Sequence, residues 1–121
     1  MKDGGDARQY DLEERTARFG KAVIGFAKRI PRNAVTSLLV SHLVRSGTSV
    51  GANYTEADDA ESRRNFRHKV AICKKEARET KHWLQMVVEA ASDLRRDARD
   101  LWREAKELHL IFAAIGRKLK D

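Results

Sequence analysis

The chain has 121 residues, 36% of them charged and 41% hydrophobic, enough for one domain with a single core and too few for two. No run of about 18 uncharged apolar residues exists to span a membrane, and the lone cysteine, Cys73, allows neither an intrachain disulfide nor a cysteine-rich metal site. The net charge of +7, from 25 basic and 18 acidic residues, makes contact with nucleic acid or another anionic surface easy without demonstrating it.

The opening MKDGGDARQYD has no apolar centre and does not read as a signal peptide, so the expected setting is a reducing, cytoplasmic one. Residues 1–9 carry no apolar stripe and are expected to form a flexible N-terminus ahead of a single domain over 10–121. The first helix is expected to start at a capping-box-like pair, Asp11 and Glu14. Its stripe is Leu12, Thr16, Phe19, Val23, Phe26 and Ile30, in alternating steps of 4 and 3. Pro31, the only proline, should end that helix near Ile30 and sit in the first turn of the next.

The second stripe is Leu39, Leu43, Ser46, Val50, Asn53 and Ala57, and it passes through SGTSVGANYTEA without losing phase. A loop has no reason to keep that phase, so the glycine-containing segment is expected to be helical. Gly47 and Gly51 then share one face a turn apart, a spacing that lets another backbone come close. A phosphate-binding loop is excluded, because no strand precedes the segment, the spacing is GxxxG, and no lysine follows.

Asp58, Asp59 and Ser62 mark the turn into a third helix, with Ser62 as its N-cap. That helix carries the stripe Phe66, Val70, Cys73, Ala77, Thr80, Leu84, Val87 and Ala91. A last turn over Ser92–Asp97, with Asp97 as a capping candidate, leads to Leu94, Ala98, Leu101, Ala105, Leu108, Phe112, Ile115 and Leu119. Steps of 3 and 4 average the repeat that keeps one stripe facing its neighbours, and Ile24, Leu38, Ile72 and Ile111 are expected to widen the buried faces. Nothing alternates with period two. The expected fold is all-α, an antiparallel up-and-down four-helix bundle.

An amide at the Asn53 core position needs partners. The expectation is a buried polar cluster of Ser46, Ser49, Asn53, Glu76, Glu79 and Thr80, with Gly47, Gly51 and Glu56 beside it. It would either fix helix register or hold a small ligand. Glu79 and His82 form a single Glu-x-x-His, whereas a di-iron bundle needs two such pairs, so no metal and no cofactor are expected. Cys73 lies on a core stripe, the place of an inert thiol, and no enzymatic activity is expected.

The third helix has an outer face rich in Arg63, Arg64, Arg67, Lys74, Lys75, Arg78 and Lys81, placed either to meet phosphates or simply to be solvated. On the fourth helix, Arg95, Arg96, Arg99, Arg103 and Lys106 alternate along the chain with Asp93, Asp97, Asp100, Glu104 and Glu107, which reads as an ordinary solvated surface with i,i+4 pairs. Tyr54, Trp83 and Trp102 lie at stripe edges, where they either complete the core or make a subunit interface.

RSGTSVGANYTEA followed by FRHKVAICKKEARETKHWL resembles the 23S rRNA-intervening-sequence protein family, also called the four helix bundle protein family. The matching positions are Arg45, Ser46, Thr48, Ser49, Val50, Ala52, Asn53, Glu56 and Ala57, then Phe66, Lys69, Val70, Lys75, Glu76, Ala77, Glu79, Thr80, Trp83 and Leu84. AICK departs from the family's more usual order in that region. The resemblance implies a bundle that assembles as a homo-oligomer, typically a pentamer, with no attached enzymatic activity. Some relatives resemble the accessory protein of diversity-generating retroelements, which binds RNA or DNA and a reverse transcriptase. The expected function is therefore that of a nucleic-acid-binding or scaffolding accessory protein. A protein–protein scaffold for an acidic partner and a ligand-binding bundle using Asn53 and Glu79 are the alternatives.

Overall fold

A computed structural model describes the backbone of residues 4–119 and the side chains from Leu12 to Leu119. Within that range the chain forms four helices and no strand: α1 (Gly4–Ala27), α2 (Ala34–Asp58), α3 (Arg63–Ala90) and α4 (Arg95–Leu119). A 3-10 turn, Ser92–Leu94, precedes α4. Each helix runs antiparallel to the next, as the cross-contacts Gly47–Val23 and Gly51–Thr16, then Ser46–Thr80 and Val50–Cys73, require. α4 returns against α1, closing an up-and-down bundle whose α1–α4 seam is its thinnest.

The stripes read from the sequence form the core. Leu12, Thr16, Phe19, Val23, Phe26 and Ile30 are all buried, as are Leu43, Val50, Val70, Ala77, Leu84, Val87, Leu108 and Phe112. Removing a Val-, Leu- or Phe-sized side chain from water is worth about 1.5–3 kcal/mol, so this ring of side chains is the main stabilising term. Ile24 and Leu38 do not widen it, because they are 42% and 61% exposed on the outer surfaces of α1 and α2.

The helix ends differ from expectation in three places. α1 begins at Gly4, seven residues before Asp11, so the expected capping box there does not start the helix and the stretch from Gly4 is helical; residues 1–3 of the expected flexible segment lie outside the described residues. α1 stops at Ala27, and Pro31 lies ahead of α2 rather than in its first turn. Asn33 caps α2 instead: its side chain accepts from the amides of Val35 and Thr36, both at 2.9 Å, while the Asn33 amide donates to Thr36 Oγ1 at 2.9 Å. Thr36 completes the joint by donating to the Pro31 carbonyl at 2.6 Å. Asp97 does not cap α4 either. It lies in the first turn, where a carboxylate favours the positive end of the helix, and it pairs with Arg29 of α1. Ser62 does cap α3, accepting from the Asn65 amide at 3.1 Å.

The glycine segment is continuous helix, as its phase required. A Cβ on Gly47 would lie 2.8 and 2.9 Å from the two γ-carbons of Val23, and one on Gly51 would lie 3.3 Å from the backbone of Thr16. The two glycines therefore let α2 lie against α1.

Candidate nucleic-acid interface

The buried polar cluster is smaller than the sequence implied. Its centre is Thr80, whose hydroxyl meets Ser46 Oγ at 3.0 Å and the Glu76 carbonyl at 2.7 Å, all fully buried between α2 and α3. Ser49 and Asn53 stand half-exposed and bond within their own helix, Ser49 to the Arg45 carbonyl at 2.6 Å and Asn53 to the Ser49 carbonyl at 2.8 Å. An amide that satisfies itself on its own backbone does not need a core partner. Glu79 is also half-exposed. Arg45 lies over both carboxylates, 3.8 Å from Glu76 and 3.6 Å from Glu79. Glu76 is buried, and its Oε1 has no hydrogen-bond partner. Glu56 stands outside the cluster and pairs with Lys69 at 2.5 Å.

Tyr54 is corrected from interface to core. It is 1% exposed and its ring packs on Phe112 with centroids 5.9 Å apart, which leaves it nothing to offer another subunit. Burial pushes its phenol up to about 12. Trp83 is half-buried on the α2 side of α3, stacked on His42 at 4.3 Å with His82 edge-on at 4.7 Å. Trp102 faces α3 across the α3/α4 groove.

That groove changes the reading of α4. Asp97, Asp100, Glu104 and Glu107 follow one another in steps of 3, 4 and 3, so they form a single stripe. The stripe faces α1: Arg15 holds Glu104 at 2.7 and 2.9 Å and Glu107 at 2.7 Å, Arg29 pairs with Asp97, and Asp100 lines the α1/α4 hollow with Arg29 and Gly25. The hydrogen bond to Glu104, above all, raises the Arg15 guanidinium further above its ordinary range. The opposite edge of α4 carries Arg95, Arg99, Trp102, Lys106, His109 and Ala113, again in steps of 4 and 3, without a carboxylate. Signs that alternate along the chain are thus separated in space, on a helix whose Arg95, Arg99, Asp100, Lys106 and Glu107 stay exposed to solvent.

α3 is divided in the same way. Glu76 and Glu79 turn toward α2 and Arg45, while Arg67, Lys74, Arg78 and Lys81 line the edge that faces α4. Arg64 and Lys75 are exposed. Near one end of the groove, Arg67, Val70, Ala71 and Lys74 face Phe112, Ala113, Gly116 and Arg117 across a hollow of about 480 Å³. Arg63 lies beyond it, its guanidinium 3.5 Å from the Leu119 carbonyl. Midway, Lys81 and Lys106 sit 5.5 and 5.6 Å from the Trp102 ring centroid. His109 is held below its ordinary range by burial first, then by the nearby Lys81, Arg78 and Lys74. At the other end a second hollow, of about 430 Å³, is lined by Leu84, Gln85, Val88 and Glu89 of α3 and by Arg95, Ala98, Arg99 and Trp102 of α4. Cations from two helices therefore converge on one groove, and the sequence showed only the α3 wall.

Groups of three or more side chains suited to hold a metal ion do not occur among the described residues. Cys73 is buried, its thiol pushed up to about 12 by desolvation and 3.5 Å from the Val50 carbonyl. Among the described residues, no helix is long and apolar enough to cross a membrane.

The fold and groove define an all-helical bundle with one strongly cationic seam. The sequence profile of the 23S rRNA-intervening sequence protein family matches residues 8–114, and the chain belongs to that family. It is similar in structure to a protein of unknown function from the S23 ribosomal protein family of Bacteroides thetaiotaomicron, at 26% identity and a TM-score of 0.82. That likeness covers 90% of this chain and 97% of the other. No curated protein matches the chain.

Proposed function

We propose that the protein is a non-enzymatic accessory factor that binds RNA or DNA along the α3/α4 groove, in a cytoplasmic setting, without base-specific readout as its main source of affinity. The observation that supports this is the convergence of Arg67, Lys74, Arg78 and Lys81 with Arg95, Arg99, Lys106 and Arg117 on one seam, while Glu76, Glu79, Asp97, Asp100, Glu104 and Glu107 turn to the other sides and Glu89 alone lines one end. Phosphates entering there meet fixed cations and release counterions, a sequence-independent gain in affinity.

Self-association, as the homopentamer common to relatives, is part of the proposal. Val35 and Leu38, each 61% exposed on α2, give it apolar area. Repeating the seam in five subunits would bring the charge to roughly +35 and strengthen its pull on a polyanion. A reverse transcriptase is the protein partner to which the likeness to retroelement accessory proteins points. The packed Ser46–Thr80 contact favours a register-fixing role for the polar cluster over a ligand site at Asn53 and Glu79.

Fluorescence anisotropy of labelled oligonucleotides across a salt series tests the reading. The logarithm of affinity should fall linearly with the logarithm of salt concentration, and Arg67→Glu, Lys74→Glu and Arg78→Glu together should abolish binding with the fold intact. Affinity that ignores both salt and these substitutions would exclude the groove.

A further inference from the structure

We infer that the hollow between the C-terminal half of α3 and the N-terminal half of α4 receives an unpaired nucleobase, so that the groove takes a single strand in preference to a duplex; this rests on the phosphate-binding reading above. The floor of the hollow is apolar: Leu84 and Ala98 are buried, Val88 is half-buried, and the Trp102 indole forms one side. Its rim is polar and mostly cationic, with Arg95 and Arg99 on α4 and Gln85 on α3. Glu89 is its one lining carboxylate. The volume of about 430 Å³ lies in the range of small-molecule pockets, enough for a base and its sugar.

Position decides what enters. Lys81 and Lys106 stand beside the Trp102 ring, at the point where the cationic seam reaches the hollow. A strand whose phosphates follow those lysines brings its next base against an aromatic side chain and over an apolar floor. Every base has a π-face, so such a site tolerates sequence. Gln85 offers both a donor and an acceptor to a base edge, and Glu89 offers an acceptor to an exocyclic amino group. In a duplex the bases are stacked and paired. Its phosphates can meet the seam, but its bases cannot enter the hollow without being unpaired, unstacked and flipped out.

Trp102 reports directly. With Trp83, on the far side of α3, changed to phenylalanine, the remaining indole fluorescence should be quenched by a single-stranded oligonucleotide and left nearly unchanged by a saturating duplex of equal length. Trp102→Leu should weaken single-strand affinity by roughly 5- to 150-fold, the range for losing one stacked base, and duplex affinity by less than about twofold. Trp102→Phe, which keeps an aromatic face and most of the packing, should fall between wild type and Trp102→Leu. RNA and DNA strands are compared in parallel, beside a nucleoside monophosphate and a glutamate-rich peptide.

No quenching by bound single strand, or equal losses for strand and duplex, would overturn the base site. Quenching by the acidic peptide as strong as by the strand would overturn it in favour of a protein ligand, and quenching by the free mononucleotide alone would reassign it to a small ligand. The two readings fail separately. If the triple charge reversal weakens all nucleic acids while Trp102 stays silent, only the base site falls; if charge reversal changes nothing, the groove itself falls.

Discussion

Gly47→Ala places one methyl group where α1 and α2 touch. The added carbon would lie 2.8 and 2.9 Å from Val23 Cγ1 and Cγ2 and 3.1 Å from its Cβ, and Val23 is fully buried with nowhere to swing. Forcing an extra methylene into such a contact costs about 1–3 kcal/mol. Alanine recovers about 1 kcal/mol of helix propensity, so the net loss should be about 0–2 kcal/mol, against a net gain where the added carbon has room. Gly25→Ala is the internal control, since no atom stands within 4 Å of its added carbon and it should stabilise by about 0.5 kcal/mol. Val23→Ala alone opens a cavity worth about 2 kcal/mol, but combined with Gly47→Ala the new methyl uses part of that space. The double-mutant cycle should therefore show at least about 1 kcal/mol of favourable coupling. Urea unfolding followed by helical circular dichroism, at one fixed protomer concentration, measures all four variants. Equal stabilisation by Gly47→Ala and Gly25→Ala, or a cycle that adds up, would refute the close approach of α1 to α2.

Arg15→Ala should lower stability by about 1 kcal/mol, less at high salt, because its bidentate pair with Glu104 is partly shielded from water; urea unfolding at two ionic strengths checks this. Glu76→Gln should be neutral or stabilise by up to about 1 kcal/mol, since it removes a buried charge whose Oε1 lacks a partner, and a clear drop in thermal midpoint would show that the charge is needed. His109, held below its ordinary range in the folded state, takes up a proton more readily when unfolded. Stability should therefore be complete above about pH 6.5 and decline as pH falls below it, and His109→Gln should flatten that part of the profile in pH-dependent unfolding. Cys73, buried with its thiol raised to about 12, should resist a thiol-reactive dye in the native protein and react at once in urea.

The fold was legible because the chain repeats one device, steps of 3 and 4, in all four helices. The buried residues Leu12 to Phe26 of α1, and Ile30 just past its end, were readable one by one. Asn53 and Tyr54 were not, because they are neighbours at the edge of one stripe and a rotation of less than a third of a turn exchanges core for surface. The α4 groove wall was legible in principle, since Arg95, Arg99, Trp102, Lys106 and His109 keep the same steps as the core stripe. Reading charge by alternation along the chain hid it, whereas phasing the charges on the helix separates them. What no phasing supplies is which neighbour each charged edge faces, and that comes from Arg15 and Arg29 reaching the acidic stripe from α1. The Asn33 cap was missed because Pro31 drew the boundary toward itself.

The pairing of α1 arginines with α4 carboxylates has a kinetic meaning as well. By engaging that acidic stripe on the α1 side, Arg15 and Arg29 keep it away from the α3/α4 seam, where Arg67, Lys74, Arg78, Lys81, Arg95, Arg99, Lys106 and Arg117 stand with Glu89 as the one lining carboxylate. A polyanion diffusing nearby feels a torque as well as a pull, so more of its first collisions arrive groove-first. Weakening α1's hold on α4 would slow capture without altering a single groove residue.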